Sequence, residues 1–366
     1  MMRTTLVAVL VLGISITALP TWAAGPDPKD VDALRDKAID FLRKQQKEDG
    51  SYSDPRMAAG VTALTVAALL RSGLTPEDES VAKSLKYLEK LVKKDGGIYG
   101  KGLANYTTSV AIMALKDANK GGKYDTVLKN AASFLKKLQT DDPANKSIQI
   151  GGASYDGKGK PDLSNTHYFL EALLAAGVPK DDPAVKRAMK FIGRCQNHPG
   201  KEDGNDLPFA LKARDEDKGG FVYRIDTDDE GHVVGGDGGL RSQGAMTYAG
   251  LKSFLYAGVD RKDPRVQAAV KWIARNYTLE ENPGMKSAGL YYYYHTFAKA
   301  MDALGEDQFV TSDGKKHDWR LELFEALKKR QGEDGGFRNK GDKTFGEADP
   351  ALATTFALLA ASYCKK

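Results

Sequence analysis

A short glycine turn, followed by an aromatic or aliphatic residue, recurs along this chain, each time between two segments of helical periodicity. The copies are Asp49-Gly50-Ser51-Tyr52, Asp95-Gly96-Gly97-Ile98-Tyr99, Gly151-Gly152 with Tyr155, Lys218-Gly219-Gly220-Phe221 and Asp334-Gly335-Gly336-Phe337, with Ala288-Gly289-Leu290-Tyr291 as a degenerate sixth. Glycine supplies the positive φ that ends a helix, and the residue beyond it folds back over that end.

The segments on either side of the turn differ in character. Those before it are amphipathic, with apolar residues at i, i+3, i+4 and i+7: Val31 to Leu42, Ser80 to Leu91, Val127 to Leu138, Val185 to Ile192, Val266 to Ile273 and Leu321 to Leu327. Those after it are rich in Ala, Leu and Thr and apolar nearly all round: Ala58 to Leu70, Thr107 to Leu115, Thr166 to Leu174, Ala245 to Phe254, Thr296 to Leu304 and Pro350 to Ala361. A helix apolar on every side is a buried one. The first set therefore predicts an outer ring and the second an inner ring, with loops such as Asp182-Pro183 and Asp263-Pro264 starting the outer helices. Six pairs that bury their inner faces only against neighbours favour closure, which leaves no exposed terminal repeat. The expected fold is all-α, an (α/α)6 toroid of six helix-pair repeats. The long stretch from Gln196 to Arg241 interrupts repeat four, and Phe221 to Val234 within it reads as a small β-hairpin insertion.

The N-terminus reads differently from the repeats. Arg3, an apolar run from Leu6 to Leu19, and Pro20 before Thr21-Trp22-Ala23-Ala24 form a cleavable secretory signal peptide over residues 1–24, leaving 25–366 as one exported toroid domain, periplasmic or secreted. The apolar run is shorter than the ~20 residues a spanning helix needs. Two cysteines, Cys195 and Cys364, fall at the ends of an outer and an inner helix, on opposite faces of the ring, so both are expected as free thiols. The 54 Lys and Arg exceed the 49 Asp and Glu only slightly and are spread along the chain, which gives no electrostatic footprint for nucleic acid.

The repeats Gln46-Lys47-Glu48-Asp49-Gly50-Ser51-Tyr52 and Gln331-Gly332-Glu333-Asp334-Gly335-Gly336-Phe337 resemble the QxxxGxW repeat of squalene–hopene cyclases and related terpene cyclases, with Tyr or Phe where that repeat has Trp. The resemblance covers nearly the whole mature chain. It implies the toroid, and it opens three kinds of chemistry that share that fold. Protein prenyltransferases hold zinc through Asp, Cys and His; here His295 matches the His, but Arg241 and Gln243 stand where the other two ligands would be. One His cannot hold a catalytic zinc. Complement-type thioester proteins need a Gly-Cys-Gly-Glu-Gln run, which neither cysteine has. Terpene cyclases of class II use a DxDD acid to protonate an alkene, and Asp226-Thr227-Asp228-Asp229 matches that string.

Three readings of this acidic segment stand side by side. As a cyclase acid, Asp228 between Asp226 and Asp229 would have a raised pKa; the family's motif runs into a helix, whereas this one is followed by the glycine-rich segment from Glu230 to Gly239. As a calcium loop, Asp226, Asp228, Glu230 and Asp237 take EF-hand-like spacing around Gly231. As the tip of a solvated hairpin, the acids stay ionised and do nothing catalytic.

In a toroid of this kind the glycine turns and the inner-helix starts share one face, so their residues converge on the cavity mouth. That places Tyr106, His167, Tyr168, Arg241, Gln243, Tyr248, Tyr293, Tyr294 and His295 in a candidate ligand-binding rim. The Tyr291-Tyr292-Tyr293-Tyr294-His295 run is the strongest part of it, because consecutive tyrosines cannot all face one core. Aromatic faces suit carbocations and apolar ligands. The leading expectation is a cyclase-like toroid that binds a small apolar or isoprenoid-like ligand, with no cofactor. A non-catalytic binding or scaffold protein and a carbohydrate-active lyase are the alternatives.

Overall fold

The computed structural model describes residues 25–141, 147–200, 205, 207–226 and 239–365. Its elements in chain order are α1 (Pro28–Gln45), α2 (Ala58–Arg71), α3 (Glu79–Lys90), α4 (Ala104–Asp117), α5 (Asp125–Leu138), α6 (Leu163–Ala175), α7 (Pro183–Arg194), the single turn α8 (Pro208–Leu211), α9 (Gly244–Ala257), α10 (Pro264–Asn276), α11 (Leu290–Leu304), β1 (Phe309–Val310), β2 (Lys316–His317), α12 (Trp319–Arg330) and α13 (Pro350–Ala361).

Burial separates two classes of helix. α1 buries one stripe, Val31, Leu34, Ala38, Ile39, Phe41 and Leu42, whereas α2 buries every residue from Ala58 to Leu69. The buried helices pack in the cyclic order α2, α4, α6, α9, α11, α13 and back to α2, and each outer helix lies against this ring. Thr65 Oγ1 and Thr355 Oγ1 meet at 2.8 Å where α2 and α13 close it. The toroid of six helix pairs is therefore complete.

The repeat motif makes the joints between neighbours. Gln46 donates through Nε2 to the Ser80 carbonyl of the next outer helix (2.7 Å), and Gln139, Gln196 and Gln331 do the same to Ala184, Arg265 and Leu34. All four also bind their own glycine turn, at Gly50, Gly151, Gly219 and Gly335. Glycine is required at the joint because φ is positive there and because the next helix backbone presses on it. A Cβ on Gly335 would lie 2.3 Å from the Lys37 carbonyl oxygen, and one on Gly151 2.0 Å from that of Arg187. The residue two places beyond then donates its N–H to a threonine of its own inner helix, Tyr52 to Thr62 and Phe337 to Thr354. One motif thus ties turn, inner helix and next repeat together, and the joint between repeats six and one is built like the others.

Aspartate followed by proline starts four helices, α1, α7, α10 and α13, with Asp27, Asp182, Asp263 and Asp349 accepting a backbone N–H two residues on. Cys195 and Cys364 are both buried and free. Of the expected hairpin, Phe221 makes isolated antiparallel bridges with Gln196 and Gln243, and residues 222–226 form no strand; residues 227–234 lie outside the described residues, as do residues 1–24, where a signal peptide is expected. A two-stranded sheet does occur, but between α11 and α12, where Phe309 pairs with His317 and Val310 with Lys316. Among the described residues no helix is long and apolar enough to cross a membrane.

Candidate functional site

The starts of the inner helices enclose a cavity of about 510 Å³ at the mouth of the ring, within the ~300–1,000 Å³ range of small-molecule sites. Its walls are aromatic and methionine-rich. Tyr106 meets Tyr168 edge-on at 5.6 Å, Tyr168 lies 6.3 Å from Tyr292, and Tyr292 meets Phe356 at 5.6 Å. Met57, Met246, Met285, Leu103, Leu352 and Phe345 fill the remaining apolar wall, and Arg56, Ser164, Gln243 and Asn282 are among its polar groups. Among the described residues that line it there is no Asp or Glu.

Of the rim expected from sequence, Tyr106, Tyr168 and Gln243 line the cavity. His167 is buried beneath it, with Nε2 2.6 Å from Tyr292 Oη. His295 is buried too, stacked on Phe356 at 5.9 Å. The other four point elsewhere. Tyr293 and Tyr294 turn outward and donate their hydroxyls to the carbonyls of Thr278 (2.6 Å) and Leu279 (2.5 Å). Tyr248 packs against Tyr293 and Phe297 in the core. Arg241 is exposed and sits 3.5 Å from Asp217. Successive helical residues differ by about 100° in direction, so of the four tyrosines it is Tyr292 that reaches the cavity. Glu347 fixes its position by accepting the backbone N–H groups of Tyr291 (3.2 Å) and Tyr292 (2.7 Å) at the start of α11.

The acidic segment is described only at its first residue. Asp226 is paired with Arg224 (2.8 Å) and Lys160 (3.7 Å) and does not line the cavity. Asp228, Asp229, Glu230 and Asp237 lie outside the described residues. Closer to the mouth is Asp162, the buried N-cap of α6, which accepts from Asn165 N and Nδ2 at 2.8 Å. Burial raises its carboxyl to about 6 against the hydrogen bonds that oppose the shift.

Below the cavity floor the ring axis holds a charge cluster. Lys252 of α9 and Lys299 of α11, with side chains only 1% and 2% exposed, both donate to the Glu171 carboxylate of α6, Lys252 at 2.7 Å. Lys252 Nζ also lies 3.1 Å from His167 Nδ1. Burial would raise the Glu171 carboxyl, but the two lysines outweigh it and hold it well below its ordinary range. Burial lowers Lys299 to about 7. It lowers both His167 and His295 well below the usual imidazole range, with the neighbouring lysines adding to the drop. Each buried ion costs several kcal/mol of desolvation, so such a cluster is poor evidence of a stability device and a reasonable sign of a functional one.

These residues follow a helical stripe that the sequence carries openly. Ser164, His167 and Glu171 are spaced i, i+3, i+7 on α6, and Tyr292, His295 and Lys299 repeat that spacing on α11. Polar residues at core periodicity in otherwise apolar helices are the signal that reading for helix starts passes over.

Residues 53–208 match the family profile of the squalene-hopene cyclase C-terminal domain, and residues 279–365 match that of the prenyltransferase alpha-alpha toroid domain. One part of the chain thus resembles the squalene-hopene cyclase domain and another the prenyltransferase toroid. Solved structures similar to this toroid include the type II terpene cyclase MstE from Scytonema, at 12% identity over 92% of this chain and 98% of that one (TM-score 0.52). They also include the GH76A alpha-1,6-mannanase from Salegentibacter sp., at 12% identity over 91% and 98% (TM-score 0.60). An alpha-amylase from Clostridium perfringens matches at 15% identity over 92% and 98% (TM-score 0.57). At these identities the likeness is one of fold, and the terpene cyclase toroid shares that fold with glycosidases.

Proposed function

We propose that this protein is an exported toroid of the terpene cyclase type that binds a small apolar, isoprenoid-like ligand in the cavity at the mouth of its inner ring. The observation that carries the reading is the wall itself, built from the rings of Tyr106, Tyr168, Tyr292 and Phe356 together with three methionines, Met57, Met246 and Met285. Such a surface gains free energy from apolar contact and suits a ligand that offers a chain of carbon. A variant of the Scytonema cyclase crystallised with geranylgeranyl dihydroxybenzoate has the same fold, which supports an isoprenoid as the kind of ligand to try first.

Cyclase chemistry on such a ligand requires a protonated acid at the cavity wall. Within this reading the acid comes from the segment of Asp228 and Asp229, and turnover of a polyprene lost in Asp228→Asn is the sign of it. Sugar hydrolysis calls for a pair of carboxyls flanking the substrate; the aromatic and methionine-rich wall favours an apolar ligand over a sugar.

Calorimetric titration of the mature chain with farnesol and geranylgeraniol tests binding. Saturable binding is expected, and Ala245→Phe, which places a ring inside the cavity, should abolish it. No binding of either alcohol, or binding indifferent to Ala245→Phe, overturns the proposal.

A further inference from the structure

The hydrogen bonds that lead from the charge cluster to the cavity run in one direction. Glu171 accepts from Lys252 and Lys299. As the ammonium of an ion pair, Lys252 has hydrogens to give and no lone pair to receive one, so the bond at 3.1 Å to His167 Nδ1 makes that nitrogen the acceptor. A neutral imidazole then carries its hydrogen on Nε2. That hydrogen points at Tyr292 Oη, 2.6 Å away. Tyr292 therefore accepts from behind, and its own hydrogen is directed outward. In front of it lies Ser164 Oγ at 3.0 Å, and both residues line the cavity.

Three helices thus deliver one donor to the cavity wall. Each link is polarised by the one behind it, and the chain begins at two lysines that share a single carboxylate. Arg56 adds a cation to the wall, and no carboxylate among the described lining residues opposes it. Hydrogen-bond direction makes this part of the wall a donor, built to meet an acceptor oxygen, best an anionic one.

We propose that the natural ligand is amphipathic, an apolar body ending in a carboxylate that seats against Tyr292 Oη and Ser164 Oγ, with His167 and Lys252 as positioning residues that keep the Tyr292 hydroxyl aimed at it. This rests on the reading of the cavity as an apolar ligand site and adds the chemistry of the ligand's polar end.

The experiment compares farnesoic acid with farnesene, the corresponding hydrocarbon, by titration of the mature chain and its variants. The acid should bind more tightly by roughly tenfold to a hundredfold, the range expected of a hydrogen bond to a charged group. Tyr292→Phe removes the donor and should bring the two affinities together. Lys252→Met should shrink the ratio as well, because His167 is then free to take the other tautomer and to accept from Tyr292. A residue that mattered only for folding would weaken both ligands alike, and melting curves of the variants separate that case. Equal affinity for acid and hydrocarbon, or a preference that survives Tyr292→Phe, overturns the inference while leaving the cavity reading standing. Failure of both ligands to bind overturns the cavity reading and this inference with it.

Discussion

His167 Nε2 lies 2.6 Å from Tyr292 Oη, joining α6 to α11 across the axis of the ring. This contact links two regions of unlike character, an aromatic cavity at the mouth and a buried ion cluster below it. Its consequences reach beyond ligand choice, since the cluster also sets how stability responds to substitution and to pH.

Glu171 is the one carboxylate shared by Lys252 and Lys299. Glu171→Gln takes the counter-charge from two buried lysines that face each other, and breaking a buried ion pair in this way costs about 3–5 kcal/mol. The combined variant Glu171→Leu, Lys252→Met, Lys299→Met should instead unfold at nearly the wild-type denaturant concentration, because apolar packing replaces the whole set. Urea unfolding distinguishes the cases. A single variant as stable as wild type would contradict the buried cluster.

Lys299 gives stability a pH dependence of known sign. Burial is the main cause of its drop to about 7; Glu171 opposes the drop, and Lys252 and Arg71 reinforce it. His295 of its own helix, His167 of α6 and the Tyr256 ring, 5.9 Å away, also surround it. Below pH 7 the folded and unfolded chains both hold the proton, and the penalty for burying the charge is fully present. Between about 7 and the ordinary lysine value near 10.4 the unfolded chain binds the proton and the folded chain does not, so stability rises with pH. The stability of wild type relative to Lys299→Met should therefore be greater at about pH 9 than at about pH 6.5. A difference that is flat or falls over that window would mean that Lys299 is not buried as described.

The toroid's closure can be tested at its joint between repeats six and one. Gly335 has φ +84°, and a Cβ there would lie 2.3 Å from the Lys37 carbonyl oxygen of α1. Gly335→Ala should lower stability by ~2–3 kcal/mol or more, since strain and overpacking act together. Gly193, near the end of α7, has open space where its Cβ would be, and Gly193→Ala should be neutral or stabilising by up to ~1 kcal/mol. Similar effects from both substitutions would argue that α1 does not pack on the last repeat.

The architecture was legible in the sequence because its determinants are local. Gly50, Gly96, Gly219 and Gly335 mark the turns, Asp-Pro pairs mark helix starts, and an all-apolar composition separates α2 and α13 from α1 and α12. The same reasoning located the mouth of the ring and three of its lining residues, Tyr106, Tyr168 and Gln243. It could not give the phase of each helix about its own axis, and phase decides which neighbour in a run faces inward. Hence Tyr293 and Tyr294 were expected at the mouth, and Tyr292 occupies it. The Glu171, Lys252 and Lys299 cluster was overlooked because its members come from three helices and sit two or more turns below the rim. A lone lysine in an apolar helix also reads as a side chain that snorkels to solvent.

A crystal structure of residues 25–366 grown with saturating farnesoic acid tests directly whether the mouth cavity holds the ligand with its polar end on Tyr292. The prediction is density for the isoprenoid chain between Tyr106, Tyr168 and Phe356, with its carboxylate within hydrogen-bonding distance of Tyr292 Oη. Ligand bound outside the ring, or lying in the cavity with its carboxylate turned away from Tyr292 toward solvent, would contradict it.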